Sequence, residues 1–296
     1  MELRILKYFL AITRERSIIK AAETLYITQP TLSRQIIELE NQLGTKLLVR
    51  GNKNRKITLT EDGIRFRKRA EEIVELAERT EIEFKNQNEE ISGDIYIGGG
   101  ETDSVRFIAK TMIKLQNKYP NIRFHLYSGN ADDITEKLDN GLLDFGILVG
   151  PGNLESYNYL KFPTTDIWGL LMKKTSQLAS KEYIKITDLE NIPLLISRQS
   201  LVENQIAGWG VKDLSKLNII ATYNLVFNAS LMVDEGLGYA LCLDKLVNTS
   251  CESTLCFKPL SPLLEVNLDI IWKKNQVFSK AAKKFLEFLQ IEFNQI

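Results

Sequence analysis

Ser17-Ile-Ile-Lys20-Ala21-Ala22-Glu-Thr-Leu25-Tyr-Ile-Thr28-Gln29-Pro30-Thr31-Leu32-Ser33-Arg34-Gln35-Ile36-Ile-Glu38-Leu39-Glu40-Asn-Gln-Leu43-Gly44-Thr-Lys-Leu47-Leu48-Val-Arg50 decides how the chain reads. Leu32, Ile36, Leu39 and Leu43 recur at alternating spacings of four and three, which lays one apolar stripe along a helix. Thr31, Arg34, Gln35 and Glu38 fall on other faces. Thr28 stands at the N-cap, and Pro30 lies in the first turn, where a missing N–H costs nothing. Gly44 follows where a helix end takes a left-handed residue. A shorter helix starts after Ser17, and the small pair Ala21-Ala22 lets two helices cross closely. Lys20 stands where a capping-box acid would be, so that cap is incomplete. Two short helices, a tight turn and a basic wing form the shape that puts the second helix into the major groove of DNA. Periodicity alone also fits any helix pair of an all-α domain. The polar cluster Gln29, Thr31, Ser33 and Arg34 favours DNA, because recognition helices read bases from their N-terminal residues.

Arg50-Gly-Asn-Lys53-Asn-Arg55-Lys56 follows as a turn with four cations, closed by the strand Ile57-Thr58-Leu59. As the tip of a wing, Lys53, Arg55 and Lys56 would meet phosphates, which position a protein without reading sequence. The net charge of zero hides a division: residues 1–69 hold 15 Lys or Arg against 7 Asp or Glu, a net +8, and the rest holds 23 against 31, a net −8. A basic end on an acidic body is the footprint of a DNA-binding segment joined to a sensing one.

These residues resemble the LysR-type transcriptional regulators. The resemblance rests on Ser17, Ala21-Ala22, Leu25, Gln29-Pro30, Leu32-Ser33, Ile36, Leu39-Glu40, Leu43-Gly44, Leu47 and Arg50, then Leu59-Thr60 and Gly63. Leu48 stands where the family usually has Phe and keeps an apolar plug. Length and order of segments also fit, so the resemblance covers essentially the whole chain.

Residues 60 to about 88 hold no Pro and no Gly beyond Gly63. Phe66, Ala70, Ile73, Ala77, Thr80 and Phe84 form a narrow seam of coiled-coil type, expected to need a partner chain. In the family the corresponding linker helix dimerises, which points to dimerisation through Phe66, Ile73, Ala77 and Phe84. Two recognition helices then face two half-sites, so the operator should have dyad symmetry.

From Gly93 strands alternate with helices. Ile95–Ile97, Phe124–Tyr127 and Phe145–Val149 read as strands, with helix faces at Val105, Ile108, Met112, Leu115 and at Ile134, Leu138. This β-α-β-α-β order implies a parallel sheet. A second set follows at 168–172, 193–196, 217–220 and 238–242, with a helix around 231–235. A last strand at 268–272 and a terminal helix carrying Phe285, Leu286, Leu289 and Phe293 close the chain. The fold class is α/β: an N-terminal winged helix-turn-helix domain (1–59), a long linker helix (60–91) and, by resemblance, a two-lobed periplasmic-binding-protein-like effector domain (92–296). The resemblance places lobe I at 92–162 and 267–296, and lobe II at 163–266.

Ligands of open α/β sheets sit beyond the carboxyl ends of strands. Gly98-Gly99-Gly100-Glu101-Thr102-Asp103-Ser104, Ser128-Gly129-Asn130 and Ser197-Arg198-Gln199-Ser200 stand at three such ends. Gly100, Thr102, Ser128, Ser197 and Arg198 are therefore the candidate effector residues, suited to a polar or carboxylate metabolite. Glu101 would oppose an anion if it pointed inward. The alternative is that these residues only cap helices. The glycines also invite a dinucleotide-loop reading, but Asp103 stands where the third Gly belongs and no Walker lysine occurs.

No HExxH, GxSxG or paired cysteine ligands are present, so no catalytic residue, metal or cofactor is expected. His125 is the only histidine and lies in a strand pattern, as a structural residue would. Cys242, Cys251 and Cys256 show neither metal nor disulfide spacing. No run of some 18 apolar residues suggests a membrane span, and the N-terminus lacks a secretory pattern. The chain is read as a cytoplasmic, dimeric or tetrameric regulator of promoter DNA that responds to a small-molecule effector. Two rivals remain open. One is a redox-responsive regulator of the same fold. The other is a small-molecule binding protein or enzyme whose N-terminal helices only oligomerise it, which would have no use for Arg34 and the wing cations.

Overall fold

Three helices share one apolar centre at the N-terminus: α1 (Leu3–Glu15), α2 (Ile18–Thr24) and α3 (Gln29–Leu43). The structure, a computed structural model, describes residues 1–49, 56–85, 91–150, 154–198 and 217–294. The helix ends follow the local chemistry. Ser17 Oγ accepts from the Lys20 N–H at 3.4 Å, and Thr28 Oγ1 from the Thr31 N–H at 3.4 Å. Gly44 closes α3 at φ +67°. Phe9, Ile12, Ala21, Ala22, Leu32, Ile36 and Leu39 fill the centre. Leu43 departs from the expected stripe: it is 41 % exposed, and Glu40 takes the buried place at this end of α3.

Strands β1 (Leu48–Val49) and β2 (Thr58–Leu59) pair antiparallel, with Leu48 opposite Leu59. The tip between them, with Arg50, Lys53 and Arg55, lies outside the described residues. Helix α4 (Glu61–Lys85) belongs to the same compact unit, residues 1–87. Its N-terminal half is covered by α1. Phe66 meets Phe9 edge to face at 5.1 Å, and Ala70 is fully buried. Phe66 of the expected seam therefore also packs against the chain's own core, where α1 covers part of the stripe.

The second unit, residues 88–296, holds two sheets. The first contains β3 (Gly93–Gly99), β4 (Ile122–Ser128), β5 (Phe145–Val149), β6 (Tyr157–Lys161) and β13 (Leu268–Lys273), in the order β4-β3-β5-β13-β6. The second contains β7 (Asp166–Lys173), β8 (Leu194–Ser197), β9 (Ile219–Tyr223), β10 (Tyr239–Leu243) and β11 (Leu255–Pro259), in the order β11-β7-β10-β8-β9. There β12 (Glu265–Val266) also pairs with β7. Helices α5 (Val105–Lys118), α6 (Ala131–Asp139), α7 (Val226–Asp234) and α8 (Lys280–Asn294) accompany them.

The element order predicts a parallel sheet, and both sheets are mixed. Each keeps a parallel trio, β4-β3-β5 and β9-β8-β10. β13 runs antiparallel to β5 and β6, and β7 antiparallel to β10 and β11. The chain leaves the first sheet after Lys161 and returns to it after Val266. Ile95, Ile97, Phe145, Ile270 and Phe285 centre the first lobe, and Leu170, Met172, Leu194, Ile196 and Leu241 the second. Among the described residues no helix is long and apolar enough to cross a membrane.

Candidate functional site

Helix α3 buries one face and presents the other. Gln29, Pro30, Thr31 and Arg34 are exposed, and Ser33 is half-buried. The Thr31 and Thr28 hydroxyls lie 2.8 Å apart, which ties Thr31 to the cap. Arg34 Nε donates to Glu38 at 3.0 Å, and its side chain is 81 % exposed. That pair is a surface contact worth well under ~1 kcal/mol, so it holds the guanidinium only loosely. Of the wing cations, Lys56 is described and is exposed.

The wing is braced from beneath. Glu40 Oε1 accepts from the backbone N–H of Leu47 at 2.9 Å and of Leu48 at 3.1 Å, and Oε2 from Lys46 Nζ at 3.1 Å. Burial alone would raise this carboxyl. The two backbone donors and the Lys46 ammonium outweigh it and hold the group below its ordinary range. Gly63 starts α4 against the same segment: a Cβ there would lie 2.0 Å from the Leu47 carbonyl oxygen, so no larger residue fits unless the wing shifts.

In the second unit a small cleft, open to solvent, lies where the strand ends of the two sheets face each other. Gly100, Glu101, Trp168, Ser197, Tyr223 and Cys242 line it. Trp168 stands opposite Leu243, because antiparallel β7 begins where β10 ends. The Trp168 indole N–H is buried and has no partner among the described residues. The Val226 N–H, at the start of α7, donates to Glu101 Oε2 across the cleft. Burial raises the Tyr223 phenol, and the nearby Cys242 and Glu101 add to the shift. Burial also raises the Cys242 thiol, with the Asp244 and Glu101 charges acting the same way.

Residues 3–64 match the bacterial regulatory helix-turn-helix protein of the lysR family, and residues 88–294 match the LysR substrate binding domain. The chain belongs to the LysR family. It is 27% identical to the Hca operon transcriptional activator HcaR of Escherichia coli (strain K12), over 98% of this chain and 97% of that protein. To the uncharacterized HTH-type transcriptional regulator YwbI of Bacillus subtilis (strain 168) it is 28% identical, over 97% and 95%. Its fold resembles that of full-length CbnR crystallised with its target DNA, with a TM-score of 0.77 at 20% identity, over 99% of this chain and 100% of that one.

The LysR chain is thus a DNA-binding transcriptional regulator with a C-terminal effector domain, and its candidate effector residues fall into different places. Gly100 and Ser197 line the cleft. Ser128 is exposed and lines an adjoining, solvent-open hollow. Thr102 lines the same adjoining hollow and is also tied across the lobes. Its hydroxyl donates to Asp166 Oδ2 at 2.5 Å and accepts from the Ser104 N–H at 3.0 Å, so its hydrogen-bonding capacity joins the lobes. Ser104 Oγ adds a bond to Asp166 Oδ1 at 3.1 Å. Arg198 is exposed and is not among the described residues lining the cleft. Asn130 is a helix cap, accepting from the Asp133 N–H at 2.8 Å.

Gly98 of the glycine run serves packing: a Cβ there would meet Leu143 at 2.4 Å and Ile134 at 2.6 Å. His125 braces the surface of β4, with Nε2 2.9 Å from Asp94 Oδ1 and its ring stacked on Tyr96. Sequence reasoning missed Trp168, Tyr223 and Cys242. The strand-end rule points to Tyr223 once β9 is known. Trp168 needs the antiparallel direction of β7, which periodicity does not carry.

Proposed function

We propose that Gln29, Ser33 and Arg34, with Pro30 and Thr31 setting the start of α3, read base edges in the major groove, while Arg50, Lys53, Arg55 and Lys56 hold phosphates. The observation that carries this is α3 itself: one face is locked into the core by Leu32, Ile36 and Leu39, and the opposite, polar N-terminal face is exposed. The protein acts in the cytoplasm as a dimer or tetramer on promoter DNA. Ile73, Ala77 and Phe84 of α4 supply the dimer seam. A small-molecule effector in the inter-lobe cleft, against Gly100 and Ser197, shifts the balance between two arrangements of the oligomer. It does so only through different affinity for the two states.

Against the redox reading, Cys256 is raised by burial, opposite to what a sensor thiolate needs. The wing assignment is tested by the salt dependence of DNA affinity. The triple change of Lys53, Arg55 and Lys56 to Ala is expected to weaken random and specific duplexes alike. It should also flatten the slope of log K against log salt by about one unit for each phosphate no longer neutralised. An unchanged slope removes the wing from the backbone.

A further inference from the structure

The start of α7 is an anion subsite that the chain has already filled. Its N-cap is Leu225, which supplies no capping bond, and its first turn holds no acid. Helix α6, by contrast, is capped by its own Asn130. The missing acceptor for α7 comes from the other lobe, as the Glu101 carboxylate bound to the Val226 N–H. Oε2 takes that bond, and no cation among the described residues pairs with Glu101. Glu101 is also the one formally charged residue among the described lining of the cleft. The remaining walls mix apolar side chains, Val149, Leu225 and Leu246, with the uncharged polar groups of Ser197, Asn224 and the Trp168 indole N–H.

A ligand carboxylate entering here finds its helix terminus occupied and meets a like charge without a counter-ion, and both are unfavourable. A ligand ammonium instead gains a charge-assisted hydrogen bond to a carboxylate already held in place. We propose that Glu101 sets the charge class of the effector: the cleft selects an apolar molecule with an amine head over the corresponding carboxylate. This rests on the cleft being the effector site, and it replaces the carboxylate metabolite expected from the strand ends.

The test uses the full chain and two probes with the same ring, benzylamine and benzoate, titrated by ligand-detected NMR. Wild type should favour benzylamine by about tenfold, or ~1.4 kcal/mol. Glu101→Gln keeps a carbonyl acceptor for Val226 but loses the charge, and should bring the two probes to near parity. Glu101→Ala opens the helix terminus and should favour benzoate. Benzoate binding wild type as well as benzylamine, a preference unmoved by Glu101→Gln, or no binding of benzylamine overturns the proposal. Leu246→Trp, which fills the cleft, separates the two levels. Probes that bind this variant unchanged refute the cleft as the site. Benzoate that binds wild type as tightly as benzylamine and fails to bind this variant refutes the charge selection alone.

Discussion

The Glu40 carboxylate is 2 % exposed and accepts from donors seven and eight residues further along the chain. Glu40→Ala would leave the Leu47 and Leu48 N–H groups buried without an acceptor, at a cost of about 2–4 kcal/mol. The pH dependence has a definite sign. Its carboxyl is lowered in the fold from an ordinary 4.5, so its contribution is fully present above that value and fades as pH falls through the folded one. The urea midpoint of the wild type should therefore exceed that of Glu40→Gln at pH ~7 and converge toward it at pH ~4. A gap of equal size at both would contradict the charged role. In the sequence Glu40 is legible as part of the family resemblance but not as a brace of the wing, since its partners lie beyond the turn at Gly44. Thr102 shows the same gap between residue type and place. A hydroxyl at a strand end suits a ligand, but its partner Asp166 is distant in sequence and nothing in the local pattern points to it.

At the scale of elements, α3 and its caps are legible residue by residue, because capping and periodicity are local. The seam of α4 is legible only in part. Its spacing shows that a stripe exists, but not what covers it. Phe66 and Ala70 are covered by α1, while Ile73 and Phe84 remain 43 % and 64 % exposed. Strand β6 leaves little trace in the sequence because four of its five residues are not buried, so its hydropathy signal is weak. The mixed sheets have a similar cause, since strand direction leaves no mark on alternation. Ile73→Glu would place an unpaired charge in the proposed seam, which is costly when desolvated, while sparing the covered face. Light scattering should then report monomers with unchanged helix content. A variant that stays dimeric at low concentration would place the seam elsewhere.

At the scale of the whole molecule, the basic end, residues 1–69, lies inside the first of two separately packed units, residues 1–87 and 88–296, and the acidic second half of α4 reduces that unit's net charge to +4 against −4. Charge division and segment order are global properties that composition carries, and they make the two-part plan readable. The cleft is not readable at that level, because it is assembled from ends of both sheets whose directions alternate. The central claim is that α3 reads sequence for a symmetric oligomer. Selection of binding sites from a random duplex library, with the full chain and with Arg34→Ala, tests it most directly. The wild type should enrich a site with dyad symmetry. Arg34→Ala should lose preference at one position in each half-site, a bidentate contact to guanine being worth about 1–3 kcal/mol of discrimination. An enriched site without a dyad, or a logo unchanged by Arg34→Ala, would contradict the account.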